Sequence, residues 1–160
     1  MRLLGILGLC FVFSAVAYAG DGVRICDPCD AVDDVLYPMD TYQTVSGTTV
    51  GTSNMDYAYE FCAVAGGMYR FTFCEGGGYA SWDTGLSVQP DGCGAYLACN
   101  DDYCSVQSQV DFYAPYDGMF VIVVDGYSSY TGAYTLAYRG PSAPSPAEDS
   151  AWGSIKALFR

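Results

Sequence analysis

The sequence predicts an all-β protein, an antiparallel β-sandwich of jelly-roll type followed by a short helical tail. Short runs in which apolar and polar residues alternate recur along the chain, which is the pattern of half-buried strands. Turn-forming Gly, Pro and Asp residues separate these runs at short intervals, and the body of the chain shows no helical periodicity. A length of 160 residues allows one such domain with short appendages.

The N-terminal residues 1–19 have the pattern of a secretory signal peptide. Arg2 gives a positive start, residues 3–16 are apolar, and Ala17-Tyr18-Ala19 is a small-x-small cleavage site. The apolar stretch is shorter than the roughly 20 residues that a membrane-spanning helix needs. We therefore expect an exported protein, secreted or at the cell surface, with no membrane span after cleavage.

Export makes the remaining cysteines candidates for disulfides. With Cys10 inside the signal peptide, the mature chain has seven cysteines: Cys26, Cys29, Cys62, Cys74, Cys93, Cys99 and Cys104. We expect three bridges with one cysteine left over, and the sequence leaves their pairing open. A structural zinc site is the alternative, but only Cys26 and Cys29 have the spacing of a zinc knuckle.

The domain that follows, residues 20–140, begins with an acidic irregular segment and continues as a series of strands. The predicted strands are residues 57–64, 68–74, 84–89, 95–98, 109–113, 119–124 and 132–138. The run 119–124 is apolar on both faces, as expected for a central strand that is covered on both sides.

Two of these strands show clear alternation. In the second, Tyr69, Phe71 and Phe73 share one face, and in the last Tyr134, Leu136 and Tyr138 do the same. We expect these six side chains to point into the core of the sandwich.

Residues 141–146 form a Pro/Ser linker, where strand pairing must stop. In residues 147–160, Trp152, Ile155 and Phe159 have helical spacing, and they would share one face of an amphipathic tail. So short a helix needs a surface or partner for stability, and we expect it to serve self-assembly or docking to the envelope.

Several short motifs between Asp56 and Tyr138 resemble, in their order, the bacterial pre-peptidase C-terminal (PPC) domain. They are Tyr59-Glu60-Phe61, the Gly66-Gly67 turn, Asp83-Thr84-Gly85-Leu86-Ser87-Val88, Ala98-Cys99-Asn100-Asp101-Asp102, Ser108-Gln109-Val110-Asp111-Phe112, residues 118–124 and Gly132-Ala133-Tyr134-Thr135-Leu136. The resemblance implies a secreted β-sandwich module, related in fold to the collagen-binding domains of secreted bacterial collagenases.

Calcium can be bound in these related domains, so the resemblance implies a calcium site here. The matching residues are Asp83, Asn100, Asp101 and Asp102, which are oxygen donors of the type that calcium prefers. The alternative is that Asp83 and Asn100 cap turns through backbone hydrogen bonds and the others face water.

The composition argues against catalysis and against nucleic-acid binding. The chain has no histidine, and Lys156, its only lysine, lies in the tail, so the usual activated nucleophiles are missing. Gly76-Gly77-Gly78 lacks the Lys-Ser/Thr of a phosphate loop. A net charge of -12 argues against a nucleic-acid partner, because few basic groups are present to neutralise phosphates. A pair of carboxylates working as a glycosidase is the one mechanism left open, and we expect no enzyme.

The leading hypothesis is an extracellular binding or adhesion module that recognises a protein or a glycan. Its candidate contacts are loop aromatics that can stack on sugars or grip peptides, with core packing as the alternative for each ring. These aromatics are Tyr79, Trp82, Tyr103, Tyr127 and Tyr130. Two other functions stay open: a structural subunit of a bacterial envelope layer or fibre, and an accessory or inhibitor of a secreted peptidase.

Overall fold

The computed structural model describes residues 28–142, and these residues fold into two packed β-sheets. The strands are β1 (Asp34–Leu36), β2 (Gln43–Thr48), β3 (Tyr57–Ala63), β4 (Met68–Thr72), β5 (Tyr79–Ala80), β6 (Thr84–Pro90), β7 (Ala98–Asn100), β8 (Gln109–Tyr113), β9 (Gly118–Gly126) and β10 (Ala133–Arg139). No helix occurs in the described range. The all-β sandwich predicted from the sequence is confirmed.

The first sheet has the strand order β1-β3-β9-β6-β7 and the second has the order β2-β10-β4-β8, with β5 paired to the start of β10. All ladders are antiparallel except one, because β1 runs parallel to β3. The first sheet is therefore mixed rather than purely antiparallel. A parallel pair needs a long connection, and here β2 of the opposite sheet lies within the crossover from β1 to β3.

Strand β9 is covered on both faces, as the sequence predicted. Phe120, Ile122 and Val124 face the second sheet and belong to the main core. Val121 and Val123 point the other way and pack in a smaller cluster with Cys29 and Ala58. The apolar pattern on both faces of β9 thus reflects two separate layers of packing.

The main core is rich in aromatic rings. Phe61 of β3 lies near its centre, with ring centroids 4.9 Å from Phe71, 5.4 Å from Tyr69 and 6.1 Å from Phe120. Alternate residues of β4 and β10, together with Phe73 directly after β4, supply the facing layer: Tyr69, Phe71, Phe73, Tyr134, Leu136 and Tyr138 are all buried. The inward faces predicted for both strands are confirmed.

The sequence does not predict β1, β2 or β5, and it places β7 too early in the chain. The inner face of Gln43–Thr48 carries a single large apolar side chain, Val45, and the outer face is polar, so the segment has no apolar period by which to recognise a strand. The predicted strand 95–98 begins later, at Ala98, because residues 95–97 are exposed and only the N–H of Leu97 bonds to Val88 O, at 2.6 Å.

Several sequence predictions lie outside the described residues. These are the signal peptide 1–19, Cys26, most of the linker and the amphipathic tail 147–160. Within residues 28–142, no helix has the length and apolar character needed to cross a membrane.

Two disulfides join described cysteines, Cys29–Cys93 and Cys74–Cys104, with Cα–Cα distances of 5.0 and 6.0 Å. Cys99 is disulfide-bonded as well. Cys62, which was included among the disulfide candidates, is free and half-buried. The register of β3 places Met119 of β9 beside it rather than a second cysteine, so among residues 28–142 Cys62 is the unpaired cysteine.

Candidate functional site

Three loops meet at one end of the sandwich, which we call the loop end: residues 81–83 between β5 and β6, 101–108 between β7 and β8, and 127–132 between β9 and β10. Backbone hydrogen bonds join them. The N–H of Tyr127 donates to Asp83 O at 3.1 Å, and the N–H of Thr84 donates to Val106 O at 3.0 Å. The first loop therefore lies between the other two, and the three form one surface.

The 101–108 loop is fixed by covalent and polar contacts. The Cys74–Cys104 disulfide ties it to the end of β4. Inside the loop, the N–H groups of Tyr103 and Cys104 both donate to Gln107 O at 3.0 Å. The side-chain amide of Gln107 donates to Ala80 O on β5. A loop held at both ends and in its middle presents its side chains in a defined arrangement.

Exposed tyrosines surround this end. The exposed fractions are 59% for Tyr103, 38% for Tyr127 and 54% for Tyr130. Tyr79 is also exposed, but it stands opposite Thr135 on the outer face of the second sheet, beside the loop end rather than on it. The structure therefore exposes all four predicted tyrosines and gathers three of them on the joined loops.

Trp82 is not an exposed ligand contact, which corrects the sequence prediction. It is 92% buried, and its indole N–H donates to Ala133 O at 2.9 Å. The ring packs on the backbone of Gly126 and Gly132; a Cβ at Gly132 would lie 2.3 Å from Trp82 Cδ1. Two glycines leave room for the indole. Trp82 therefore belongs to the core, where it packs beneath the 127–132 loop and stabilises it.

The carboxylates that were predicted to bind calcium, Asp83, Asp101 and Asp102, lie near one another at the loop end. Burial raises the pKa of Asp83, and repulsion from Asp102 and Asp101 raises it further. Asn100 uses its Oδ1 to accept the N–H of Gln109 at 3.1 Å, which holds β8 beside β7. Among residues 28–142, no three Cys, Asp or Glu side chains are arranged to hold a metal ion. The calcium site therefore stays a prediction.

The charges near the loop end are all negative. In the described range the basic side chains are Arg70 and Arg139, and both lie on the outer face of the second sheet. Arg70 binds Asp111 through two nitrogens at 2.5 and 2.7 Å and reaches Glu75 at 2.6 Å, which raises the pKa of the guanidinium. Arg139 lies over the ring of Tyr42, 4.9 Å from its centroid. Neither arginine neutralises Asp83 or its neighbours.

Sequence reasoning missed the cluster around Tyr42, which explains the three consecutive glycines. The Tyr42 hydroxyl donates to Glu75 Oε1 at 2.5 Å, and its ring lies on Gly76, where a Cβ would come within 2.5 Å of the ring. Gly76 also has a φ of +64°. The glycines allow the chain to pass close over the outer face of the second sheet. They therefore serve packing and do not form a phosphate-binding loop.

A groove of about 240 Å³ lies at the opposite end of the second sheet. Its lining includes Asp40, Met68, Arg139 and Pro141. It is separated from the loop end by the length of the strands and shares none of its residues.

Fold and loops together define a disulfide-bonded β-sandwich module that presents a joined, acidic and tyrosine-bearing surface at one end. No family model matches the chain, and no curated protein matches it. Two solved structures are similar in fold. One is PliG of Aeromonas hydrophila, a periplasmic inhibitor of g-type lysozyme (17% identity, TM-score 0.48). The other is the pre-peptidase C-terminal domain of collagenase from Bacillus anthracis (13% identity, TM-score 0.49). Each match covers 69% of this chain and 99% of the other.

Proposed function

We propose that the protein is an exported, non-catalytic module that binds an extracellular protein or glycan at its loop end. The contacts are Tyr103, Tyr127 and Tyr130, with Tyr79 at the margin. The observation that supports this most directly is the joining of three loops through Asp83 and Thr84, which holds the exposed rings on one surface.

Exposed tyrosines on fixed loops are suited to recognition. A tyrosine ring offers a large apolar face and a hydroxyl, and it loses little conformational entropy on binding. The Cys74–Cys104 bridge and the bonds to Gln107 order the 101–108 loop before a partner arrives, which lowers the entropy that binding must overcome. The same rings could stack on a sugar, so the geometry suits both kinds of partner.

Charge favours a basic protein over a glycan. Asp83, Asp101 and Asp102 lie beside the rings, and the chain as a whole carries a net charge of -12. A surface of this sign attracts Lys- and Arg-rich partners over long range and accelerates their association. A neutral sugar would gain nothing from these carboxylates except hydrogen bonds.

A non-catalytic role and an extracellular location fit the same residues. The chain has no histidine, and the two arginines of the described range are held by carboxylates or an aromatic ring away from the loop end. Disulfides are typical of proteins that work outside the reducing cytosol.

The test is a binding screen of the mature chain against arrays of extracellular proteins and glycans, with two matched variants. In the first, Tyr103, Tyr127 and Tyr130 are changed to Ser; we expect it to lose the hits that the wild type gives. In the second, three exposed tyrosines of the opposite end are changed to Ser, and we expect this variant to keep the hits. These control positions are Tyr37, Tyr96 and Tyr113.

Salt separates the two kinds of partner. Binding to a basic protein should weaken as ionic strength rises, whereas stacking on a neutral glycan should change little. Equal loss of binding in both variants, or in neither, would contradict the proposal.

A further inference from the structure

Strand β2 is the terminal strand of the second sheet, and its outer edge pairs with no other strand of the described range. It runs for six residues without a break and pairs with β10 at every position. Such an edge presents a row of backbone N–H and C=O groups without partners, on which a further strand can be added.

The register shows which backbone groups point outward. The N–H of Thr49 donates to Gly132 O at 3.1 Å, which makes this a hydrogen-bonded pair continuing the β2–β10 ladder. Such pairs alternate along an antiparallel ladder, so Val45 and Gly47 also bond to β10. The N–H and C=O groups of Thr44, Ser46 and Thr48 therefore point away from β10, toward the free edge.

The other three sheet edges are protected. In the first sheet, β1 and β7 are only three residues long, and β1 begins with Asp34. In the second sheet, β8 carries the exposed Asp111, and the N–H of Gln109 is taken by Asn100 Oδ1. Short length, charge and cover are the usual means of preventing edge pairing, and β2 has none of them.

The β2 edge is also uncharged in a strongly acidic protein. Residues 41–55 contain no Asp, Glu, Lys or Arg, although the chain has 18 acidic groups. Thr44, Ser46 and Thr48 are exposed hydroxyl residues on the outer face. This stretch is therefore a place where two copies of the chain can approach with the least like-charge repulsion.

We infer that the free edge of β2 is a docking site for the β2 strand of a second copy. The outward-bonding residues read Thr-Ser-Thr, which is palindromic. An antiparallel pairing around a two-fold axis at Ser46 sets Thr44 opposite Thr48 of the partner and Ser46 opposite its own copy. All three pairs can exchange both of their hydrogen bonds, which makes about six across the interface. A foreign strand would need no such symmetry.

This pairing closes on itself, so it gives a dimer and not a fibre. Each copy uses its one free β2 edge, and the interface is isologous. Because each copy carries a charge of -12, repulsion opposes association at low ionic strength. The dimer should therefore tighten as salt is added, which is opposite to the behaviour expected for a basic partner at the loop end.

Sedimentation velocity of the mature chain from micromolar to millimolar concentration tests the inference. We expect a monomer–dimer equilibrium that shifts toward dimer in high salt. Ser46→Pro removes an outward N–H while leaving the β10 ladder intact, and it should weaken the dimer by about tenfold or more. Ser46→Ala keeps that N–H and should dimerise like the wild type.

Hydrogen exchange gives a second readout that requires no variant. At low concentration the amides of Thr44, Ser46 and Thr48 should exchange fast and those of Val45 and Gly47 slowly; at high concentration the first set should become protected. A monomer at millimolar concentration in high salt, or a dimer that Ser46→Pro leaves unchanged and that gives no protection at these three amides, would overturn the inference. Neither outcome bears on binding at the loop end.

Discussion

The hydroxyl groups of Tyr59 and Tyr134 form a 2.8 Å hydrogen bond across the interior of the sandwich, joining β3 of the first sheet to β10 of the second. Gly47 of β2 lies directly against this pair. A Cβ at Gly47 would come within 2.4 Å of Tyr134 Oη and 2.9 Å of Tyr59 Oη. Three strands from two sheets thus meet where two buried phenols satisfy each other and a glycine leaves them room.

Gly47→Ala should destabilise the fold, because the added methyl cannot fit beside the tyrosine pair without moving it. We expect a loss of about 1–3 kcal/mol in the free energy of unfolding, measured with urea. In a Tyr134→Leu background the shorter side chain vacates the space, so the same change should cost less. Gly85→Ala is the control, since its nearest neighbour is 3.7 Å from the added Cβ. An equal loss in both backgrounds would show that the tyrosine pair is not the cause.

Stability should fall at high pH because of the same pair. Burial raises the pKa of Tyr59 to about 12, and burial together with the bond to Tyr59 raises the pKa of Tyr134 as well. In the unfolded chain both phenols ionise near pH 10. Their contribution is therefore complete below pH 10 and is lost as pH rises from about 10 toward 12. Urea midpoints and phenolate absorbance against pH should show this loss, and Tyr59→Phe should reduce its slope.

The Cys29–Cys93 and Cys74–Cys104 disulfides should have separable effects. Replacing either pair by serines should lower the free energy of unfolding by about 2–5 kcal/mol. Removing Cys74–Cys104 should also speed hydrogen exchange in residues 101–107 and weaken binding at the loop end. Removing Cys29–Cys93, which covers the outer face of the first sheet, should do neither. Loss of binding in both variants to the same degree would mean that global stability, and not loop order, controls it.

Glu75 should respond to the loss of the Tyr42 hydroxyl. The hydrogen bond from Tyr42 and then the bond from Arg70 lower the pKa of this carboxyl below its ordinary value. Because the folded pKa is lowered, the stabilisation is present above the ordinary value and is lost as pH falls through the folded pKa. Tyr42→Phe should move the pKa of Glu75 upward in an NMR titration. Tyr113→Phe, on the same sheet, should leave it unchanged.

Calcium binding at Asp83, Asn100, Asp101 and Asp102 is tested by melting. A cation among these carboxylates would relieve the repulsion that raises the pKa of Asp83, so calcium should raise the melting temperature and a chelator should reverse the rise. Sodium chloride of equal ionic strength is the control, and an Asp101→Asn, Asp102→Asn variant should lose the effect. A melting temperature that follows ionic strength alone would contradict the prediction.

Much of the fold could be predicted from the sequence, because a strand with one buried face has apolar residues at every second position. The alternation of Tyr69, Phe71 and Phe73 and the apolar stretch of β9 both predicted their positions correctly, since side chains on a strand alternate between two faces. Strand β2 left no such signal. Its outer face is exposed and Val45 is the one large apolar side chain of its inner face, so its pairing with β10 is what defines it as a strand.

The candidate site was accessible only in part. Loop tyrosines could be recognised by type, but whether a ring faces water depends on what lies over it. Trp82 and Tyr103 both occur in loops; the first packs on two glycines and is buried, whereas the second is exposed. A local sequence pattern cannot predict a contact between residues about fifty positions apart, such as the hydrogen bond from the Trp82 indole N–H to Ala133 O.

By itself, the sequence determined the all-β class, the faces of the apolar strands and the chemical character of the loops, because these depend on local periodicity and composition. The tertiary structure decided which loops meet, which of the cysteines pair and which sheet edge stays open. Those outcomes depend on the order and register of strands that are distant in the chain. Hydrogen bonds between strands join backbone groups that every residue type except proline carries, so the sequence does not show which strands pair.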